Sequence, residues 1–584
     1  MSINRNEKRH QYTRGAEVMR HEFSMYFSAL WFSFIIATLS ALGTFIFVAN
    51  AMMEGDQGEI FLDHLVAQYN VSQGDAKAPV RMDLQRGGQV KTFEVPSGEL
   101  LEMFEPEWKA IKKRLWISLA IAIVSGIGLF FVTNWAWRQF GRKIGKDEIV
   151  RGTEMAETKD VIGAMKKEGK ASHVTLAGVP LEKGTEVLNT KVSGAIGTGK
   201  SVAISEALSC IRAAGQKALI YDPTGEYIQR FYREGRDVIL NPFDKRGRAW
   251  KPWNEVRRPY DYANLSESFI PVQNSKEPFW EEGGQAVLED IMSRLAKNNE
   301  PTNRRLVEVV NVLTLEEIQA IVKSLPAAVY MDPEAGKTAL GIRMNVVRAA
   351  KALRYMGDAD VQAEEQFSIR EWITSPEQDS WLFLSAREDM LPTIRPLITA
   401  WFDTALRAVM TLPPDRSRLI WSVIDELASL NKISTLTEAT TRARKYGLAS
   451  ILGYQNIAQL RKIYGFEDAQ TIVSMCQTML TLRVPDFQTA EYIADDLGAQ
   501  ELYEHDENIS FGSDSNRDGV TITTRRTDRK LVMPSEIQGL PSLSGFMKLA
   551  GRNEIMRVTF KHKDYPKVAE PFVEKEVISY ALDE

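Results

Sequence analysis

The sequence predicts an α/β protein. A mainly parallel sheet carries a phosphate-binding loop, an all-helical segment interrupts it, and two membrane-spanning helices precede it. Three observations carry that prediction. Gly194-Ala195-Ile196-Gly197-Thr198-Gly199-Lys200-Ser201 fits the pattern G-x-x-x-x-G-K-[ST]. Short apolar segments rich in Ile, Leu and Val recur after it, alternating with helical patterns. Two long runs without a charged residue, 24–53 and 115–137, lie before it.

Composition sets loose bounds. With 584 residues the chain has room for several domains. A hydrophobic share of 44% and a charged share of 26% are ordinary for globular chains. The net charge of −5 excludes neither nucleic acid nor protein partners, because a basic patch fits inside a near-neutral total. Cys210 and Cys476 sit far apart in apolar patterns and read as buried, reduced thiols. The histidines show no metal-ligand spacing, so no structural zinc is expected.

The amino-terminal organisation follows from charge and hydropathy. Residues 1–23 read as a cytoplasmic segment, 24–53 as the first span, 54–114 as a small periplasmic domain and 115–137 as the second span. Trp31, Trp116, Trp135 and Trp137 include aromatics near the span ends. Arg5, Lys8, Arg9, Arg14 and Arg20 precede the first span, and Arg138, Arg142, Lys143 and Lys146 follow the second. Basic flanks stay cytoplasmic, which places both termini there and the spans in an inner membrane. Lys109, Lys112, Lys113 and Arg114 oppose this from the outer side. A triphosphate site in the cytoplasm decides for the stated orientation.

The loop itself predicts an ATP and Mg2+ site. Residues 187–193 read as a strand and 202–213 as a helix, so the loop feeds a helix N-terminus. Gly194, Gly197, Thr198 and Gly199 let consecutive backbone N–H groups curl around phosphates. Lys200 adds a cation, and the Ser201 hydroxyl suits the metal. Further strands are expected at 217–221, 238–240, 381–384, 419–424, 450–454 and 478–483. The 419–424 strand runs into Asp425 and Glu426. An acid pair at a sheet's carboxyl edge suits magnesium (Asp425) and a general base for water (Glu426).

Three weaker candidates complete the site. Gln455 ends the 450–454 strand, where it reads equally as a γ-phosphate sensor or a polar strand end. Arg442, Arg444 and Lys445 could supply an arginine finger reaching a neighbouring subunit, but on the residues alone a solvated basic helix end is the better reading. Asp222 opens Asp222-Pro223-Thr224-Gly225-Glu226-Tyr227 and reads equally as a magnesium or nucleotide contact or a plain turn. Residues 260–370 carry helical patterns at 281–297, 304–314, 315–324 and 337–355 and read as an all-α domain. It divides the nucleotide-binding domain into 138–259 and 371–584. Arg343, Arg348, Lys351 and Arg354 on its last helix suit a DNA-facing surface or a solvated face equally.

These residues together resemble the TraD-type coupling proteins of bacterial conjugation, within the FtsK/HerA-like class of RecA-fold motors. The resemblance runs through the two spans, GAIGTGKS, YDPTGEY, Asn241-Pro242-Phe243-Asp244 and Glu277-Pro278-Phe279-Trp280. It continues through VIDELASL, Ala443-Arg444-Lys445-Tyr446-Gly447, Gly453-Tyr454-Gln455-Asn456 and Ala458-Gln459-Leu460. It implies a RecA-like P-loop ATPase that assembles as a membrane-embedded homohexamer. Such a protein docks relaxase and relaxosome proteins on a type IV secretion system and drives transfer of single-stranded DNA, with double-stranded DNA left open. It puts Lys200 and Ser201 on phosphate and magnesium, Asp425 and Glu426 on the acid pair, Gln455 on the strand-end glutamine, and favours Arg444 as the basic residue. The chain stops soon after its core, where long members carry a polar tail. Residues 568–584 read equally as a short substitute or a frayed end. A chromosome-segregation or partition translocase of the same class is the alternative. A scaffold that binds nucleotide without turnover fits the intact acid pair less well.

Overall fold

The computed structural model describes residues 5–86, 89–144, 148–272, 277–356, 366–377, 379–510 and 519–575. It divides into two units, Met1–Glu148 with Glu504–Arg525, and Ile149–Tyr503 with Arg526–Glu584. The first unit contains α1 (Arg5–Met52), α2 (Gln57–Ser72), a hairpin of β1 (Pro79–Arg86) and β2 (Gln89–Pro96), α3 (Ser97–Met103) and α4 (Glu105–Ile144). Tyr26–Met52 and Glu105–Phe140 are long and apolar enough to cross a membrane. The helices therefore outrun the uncharged segments, and α1 takes in most of the basic segment before its apolar run.

α1 and α4 pack through small residues. Ser33 and Ala37 on α1 and Ser118 and Ala122 on α4 are buried. A Cβ on Gly126 would lie 3.1 Å from the Ala41 Cβ and 3.2 Å from the Ala37 carbonyl oxygen. Small side chains at every fourth position let two helix backbones close up without a core of large residues.

The stretch between the apolar runs folds around Ile60, Ala67, Val80, Met82, Leu100 and Ile111. His64 stacks on Trp108 at 3.9 Å between ring centroids. Burial lowers its pKa, which favours the neutral ring. Three of the four basic residues ahead of the second run make local contacts. Arg114 donates to the Met52 carbonyl (2.6 Å) and to Gln57 Oε1 (2.7 Å). Lys109 pairs with Glu105 at 2.8 Å, and Lys112 lies 5.1 Å from the Trp108 ring centroid.

The second unit begins within β3 (Glu148–Gly152), followed by β4 (Glu154–Ala156), α5 (Thr158–Lys167) and the hairpin β5 (Ala171–Leu176) and β6 (Val179–Glu182). Then come β7 (Thr190–Ser193), α6 (Lys200–Ala213), β8 (Lys217–Asp222), α7 (Glu226–Phe231) and β9 (Val238–Leu240). Helices α8 (Asp261–Phe269), α9 (Phe279–Lys297), α10 (Asn303–Asn311), α11 (Leu315–Val322), α12 (Gly336–Ala350) and α13 (Ile369–Thr374) precede β10 (Trp381–Ser385) and α14 (Leu391–Met410). Its remaining strands are β11 (Ile420–Ile424), β12 (Leu448–Tyr454), β13 (Thr478–Thr481), β16 (Ser544–Lys548) and β17 (Glu554–Thr559), while β14 (Ala499–Ser510) and β15 (Gly519–Lys530) each have residues in both units.

A ten-stranded sheet has the order β4-β17-β16-β13-β7-β12-β11-β8-β10-β9. Every pair from β13 to β9 is parallel, whereas β16 pairs antiparallel with both β13 and β17. Alternate residues feed opposite faces, as strand geometry requires. Leu219, Tyr221, Leu382 and Leu384 enter one core, while Ala218, Ile220, Trp381 and Phe383 enter the other. The core of the helical segment between β9 and β10 is continuous with the first of these.

Several expectations need correction. The strand expected at 187–193 shortens to β7, because Asn189 turns the chain at φ 57°. Its side chain accepts from the Ser450 N–H (3.1 Å) and donates to the Thr440 carbonyl (3.1 Å), which holds the turn. The helix expected at 337–355 ends at Ala350 and continues as a 3-10 turn, Lys351–Tyr355. Cys476 is buried, but Cys210 is only half-buried, beside the Thr175 hydroxyl at 3.4 Å.

Candidate nucleotide site

β7 delivers the phosphate loop between β13 and β12. The Gly194 N–H donates to the Tyr454 carbonyl (3.3 Å) and the Ala195 N–H to the Arg483 carbonyl (3.0 Å). Gly197 and Gly199 hold φ of 75° and 111°, a region that side chains oppose. At Gly194 the constraint is space, since a Cβ there would lie 2.8 Å from Thr198 Oγ1. Thr198 closes the loop by donating its hydroxyl to the Ala195 carbonyl (2.7 Å), and its own carbonyl accepts from the Leu543 N–H (2.8 Å).

The acid pair meets this loop from β11. Lys200 Nζ donates to Glu426 Oε2 at 2.7 Å, and Ser201 Oγ donates to Asp425 Oδ2 at 3.2 Å. β12 lies between the loop strand and the acid strand, so the acids must reach across it. Gly453 makes the crossing possible, because a Cβ there would stand 1.9 Å from the Asp425 carbonyl oxygen. Gln455 follows β12 at this edge and is half-buried.

Asp222, the last residue of β8, is fully buried at the same edge. Its Oδ2 accepts from the Ile228 N–H at 2.8 Å. Burial pushes the Asp222 carboxyl up to about 7, and the neighbouring Asp425 charge adds to the effect. Burial also raises Asp425, opposed chiefly by the Lys200 ammonium. Among the described residues, Asp222 Oδ1, Asp425 Oδ1 and Glu426 Oε1 are buried without a hydrogen-bond partner. Buried oxygens left in that state are costly unless a cation or donor meets them. Carboxylates and a hydroxyl are the hard oxygen donors that Mg2+ selects, so these residues fit that ion beside a phosphate chain. Tyr227, which no motif in the sequence assigns a role, is buried beside Ser201, Asp222 and Asp425. Its only sequence signal was its place in the 222–227 run.

A family model described as the type IV secretion-system coupling protein DNA-binding domain matches residues 173–561. The chain belongs to the type IV secretion-system coupling protein family. The coupling protein TraD of Escherichia coli (strain K12) is 30% identical over 495 residues, 83% of this chain and 69% of that protein. A conjugal transfer protein TraG of Rhizobium radiobacter is 23% identical over 258 residues, 44% of this chain and 38% of that one. Among solved structures, the unbound conjugative coupling protein TrwBdeltaN70 matches with TM-score 0.66 and 31% identity, covering 74% of this chain and 97% of that one. TrwB in complex with ADP and Mg2+ matches with the same score and identity, covering 74% and 98%. The protein is thus a coupling ATPase of conjugative type IV secretion, and the partition alternative is left without support.

In this coupling protein the remaining candidates lie apart from the acid pair. Arg444 is exposed in the 3-10 turn Ala443–Tyr446, just before β12, and therefore at the amino edge of the sheet. The loop and acids occupy the carboxyl edge, so one chain does not bring Arg444 to Lys200. Arg442 is taken by Glu438 at 2.7 Å. The four basic residues of the helical segment do not form one solvated face. Arg343 turns inward and donates to the Val310 carbonyl at 2.9 Å, and Arg354 lies over the Tyr355 ring at 5.6 Å, whereas Arg348 and Lys351 are exposed. Arg343 and Arg348, five residues apart on α12, already point about 140° apart, and the 3-10 turn takes Lys351 and Arg354 out of the register of α12.

Proposed function

We propose that this coupling protein is a membrane-embedded homohexamer that uses ATP hydrolysis to pass single-stranded DNA from a relaxase complex to the secretion system. The two apolar helices cross the inner membrane, with both termini cytoplasmic. The contact of Lys200 and Ser201 with Glu426 and Asp425 carries the ATPase part of this reading. The name of the matched family, which includes a DNA-binding domain, supports the DNA part.

Each residue has a role in this reading. The N–H groups of Gly194, Gly197, Thr198 and Gly199, with Lys200, hold the phosphates. Ser201 and Asp425 hold Mg2+, which neutralises phosphate charge when bound, and Asp222 backs them. Lys200 exchanges Glu426 for phosphate oxygens, which frees Glu426 to accept a proton from water. Gln455 senses the γ-phosphate from the end of β12. Arg444 acts on the site of a neighbouring subunit. Residues 138–259 and 371–584 form the motor around an all-α domain at 260–370.

Lys200→Ala is the direct test. It is expected to abolish ATP turnover and DNA transfer while leaving membrane insertion intact. Undiminished DNA-stimulated hydrolysis by that variant would sink the motor mechanism. In cells lacking the protein, the reading expects normal relaxase cleavage at the transfer origin and no transfer.

A further inference from the structure

The motif Asn241-Pro242-Phe243-Asp244 has no part in the nucleotide site, yet it builds a second feature. It follows β9, the edge strand of the sheet, and loops round so that Gly247 pairs parallel with Ile239, with the Arg248 N–H donating to the Ile239 carbonyl (3.0 Å). Gly247 allows the turn, because a Cβ there would stand 2.2 Å from the Asn241 carbonyl oxygen. Asp244 is buried and grips Arg246 through Nε (2.9 Å) and Nη2 (2.6 Å). The carboxy-terminal segment straps the turn in place. The Lys245 N–H donates to the Val573 carbonyl (2.8 Å) and the Lys575 N–H to the Phe243 carbonyl (2.9 Å).

This rigid turn lines a cavity of about 690 Å3. Lys245, Arg248 and Lys575 are exposed on its wall, and among the described residues none has a carboxylate partner. Asp237 lies in the same wall but is already paired with Arg212 at 2.7 Å, which leaves Glu234 as the opposing charge. Half-buried Tyr232 and Tyr355 supply aromatic surface, with the Arg246 guanidinium over the first ring at 5.4 Å and that of Arg354 over the second at 5.6 Å. Three cations without a carboxylate partner among the described residues, against one Glu234, suit an anionic ligand that also offers flat rings to the two tyrosines. The volume falls in the range of roughly 300–1,000 Å3 typical of small-ligand sites. It admits a nucleotide or two of a flexible strand and no base-paired helix. β9 lies five strand spacings from β7, on the order of 24 Å, so this cavity is separate from the phosphate loop.

We propose that this cavity grips the backbone of single-stranded nucleic acid through Lys245, Arg248 and Lys575, with Tyr232 and Tyr355 against the bases. The assignment rests on the DNA-handling reading above and places one DNA contact at the edge of the motor sheet rather than on the helical segment. The test uses full-length protein in detergent and a fluorescent oligothymidylate, with affinity measured against salt concentration. The triple variant Lys245→Ala, Arg248→Ala, Lys575→Ala is expected to flatten the slope of log affinity against log salt by about 2. It is also expected to weaken binding on the order of 100-fold at 0.1 M salt. ATP binding without DNA, which belongs to Lys200, checks that the variant folds. Should that binding be lost, Arg248→Ala alone carries the test with an expected slope change of about 0.7. Unchanged affinity and slope, in a wild-type protein that does bind the oligonucleotide, overturn this site alone. A wild-type protein that binds no oligonucleotide overturns the DNA-handling reading with it. In a Lys200→Ala background, labelled ATP binding that the triple variant abolishes would overturn the proposal in favour of a free-nucleotide site.

Discussion

Gly453 decides whether two carboxylates can serve a loop that starts two strands away. Because the Asp425 carbonyl passes 1.9 Å from where its Cβ would stand, Gly453→Ala must push β11 and β12 apart. The expected outcome is lost ATP turnover and a stability loss of about 1–3 kcal/mol, read from thermal unfolding. Wild-type turnover in that variant would show that the acids need no such closeness. Lys217 is a second residue whose importance is local. Its buried ammonium donates to the carbonyls of Trp372 (2.6 Å), Ile373 (3.4 Å) and Ser375 (3.0 Å), tying the end of α13 to the start of β8. Burial pulls its pKa down to about 8 from 10.5. Between those values the unfolded chain binds more protons than the folded one, so this group makes stability rise with pH from about 8 to 10.5. Lys217→Met is expected to remove that rise and to cost about 1–3 kcal/mol for carbonyls left unpaired. Melting temperatures of both proteins across pH 7–10.5 check it; parallel curves would show that the group stays charged throughout. The phosphate loop and acid pair were legible as motifs, because each chemical job sits within a few consecutive residues. The demand at Gly453 was not, since it depends on a neighbouring strand.

At the scale of elements, continuous apolar runs marked the sheet well. The expected strand at 238–240 coincides with β9, and 217–221 misses only the last residue of β8. The expected strand at 187–193 overran, because Asn189 uses its side chain to stabilise a left-handed turn that hydropathy does not encode. The pairing of α1 with α4 likewise lies beyond a hydropathy profile, which reports that a run is apolar and not which face meets its partner. The small-residue seam makes its own prediction. Thr44 Oγ1 and Ser125 Oγ lie 3.5 Å apart, so cysteines at those positions are expected to cross-link efficiently. Adding Gly126→Leu should lower the yield by forcing the helices apart, and an unchanged yield would show that the contact is not needed for their pairing.

At the scale of the whole molecule, Arg444 and the acid pair occupy opposite edges of one sheet. In the proposed hexamer such a residue would reach a nucleotide on the neighbouring subunit. Doping Arg444→Ala subunits into wild-type assemblies is therefore expected to remove more activity than their share. Loss in proportion to dose would confine the residue to a structural role.

The sequence by itself determined the phosphate loop, the acids, the run of apolar strands and the two apolar helices. Each of these is a pattern carried by neighbouring residues. Only the tertiary structure decided that β12 separates the loop strand from the acid strand. It alone decided that Arg343 is spent on a backbone carbonyl, and that Lys245, Arg248 and Lys575 share one cavity. Those outcomes depend on which distant segments pack together, and long-range packing is set by the whole core rather than by any one stretch of chain.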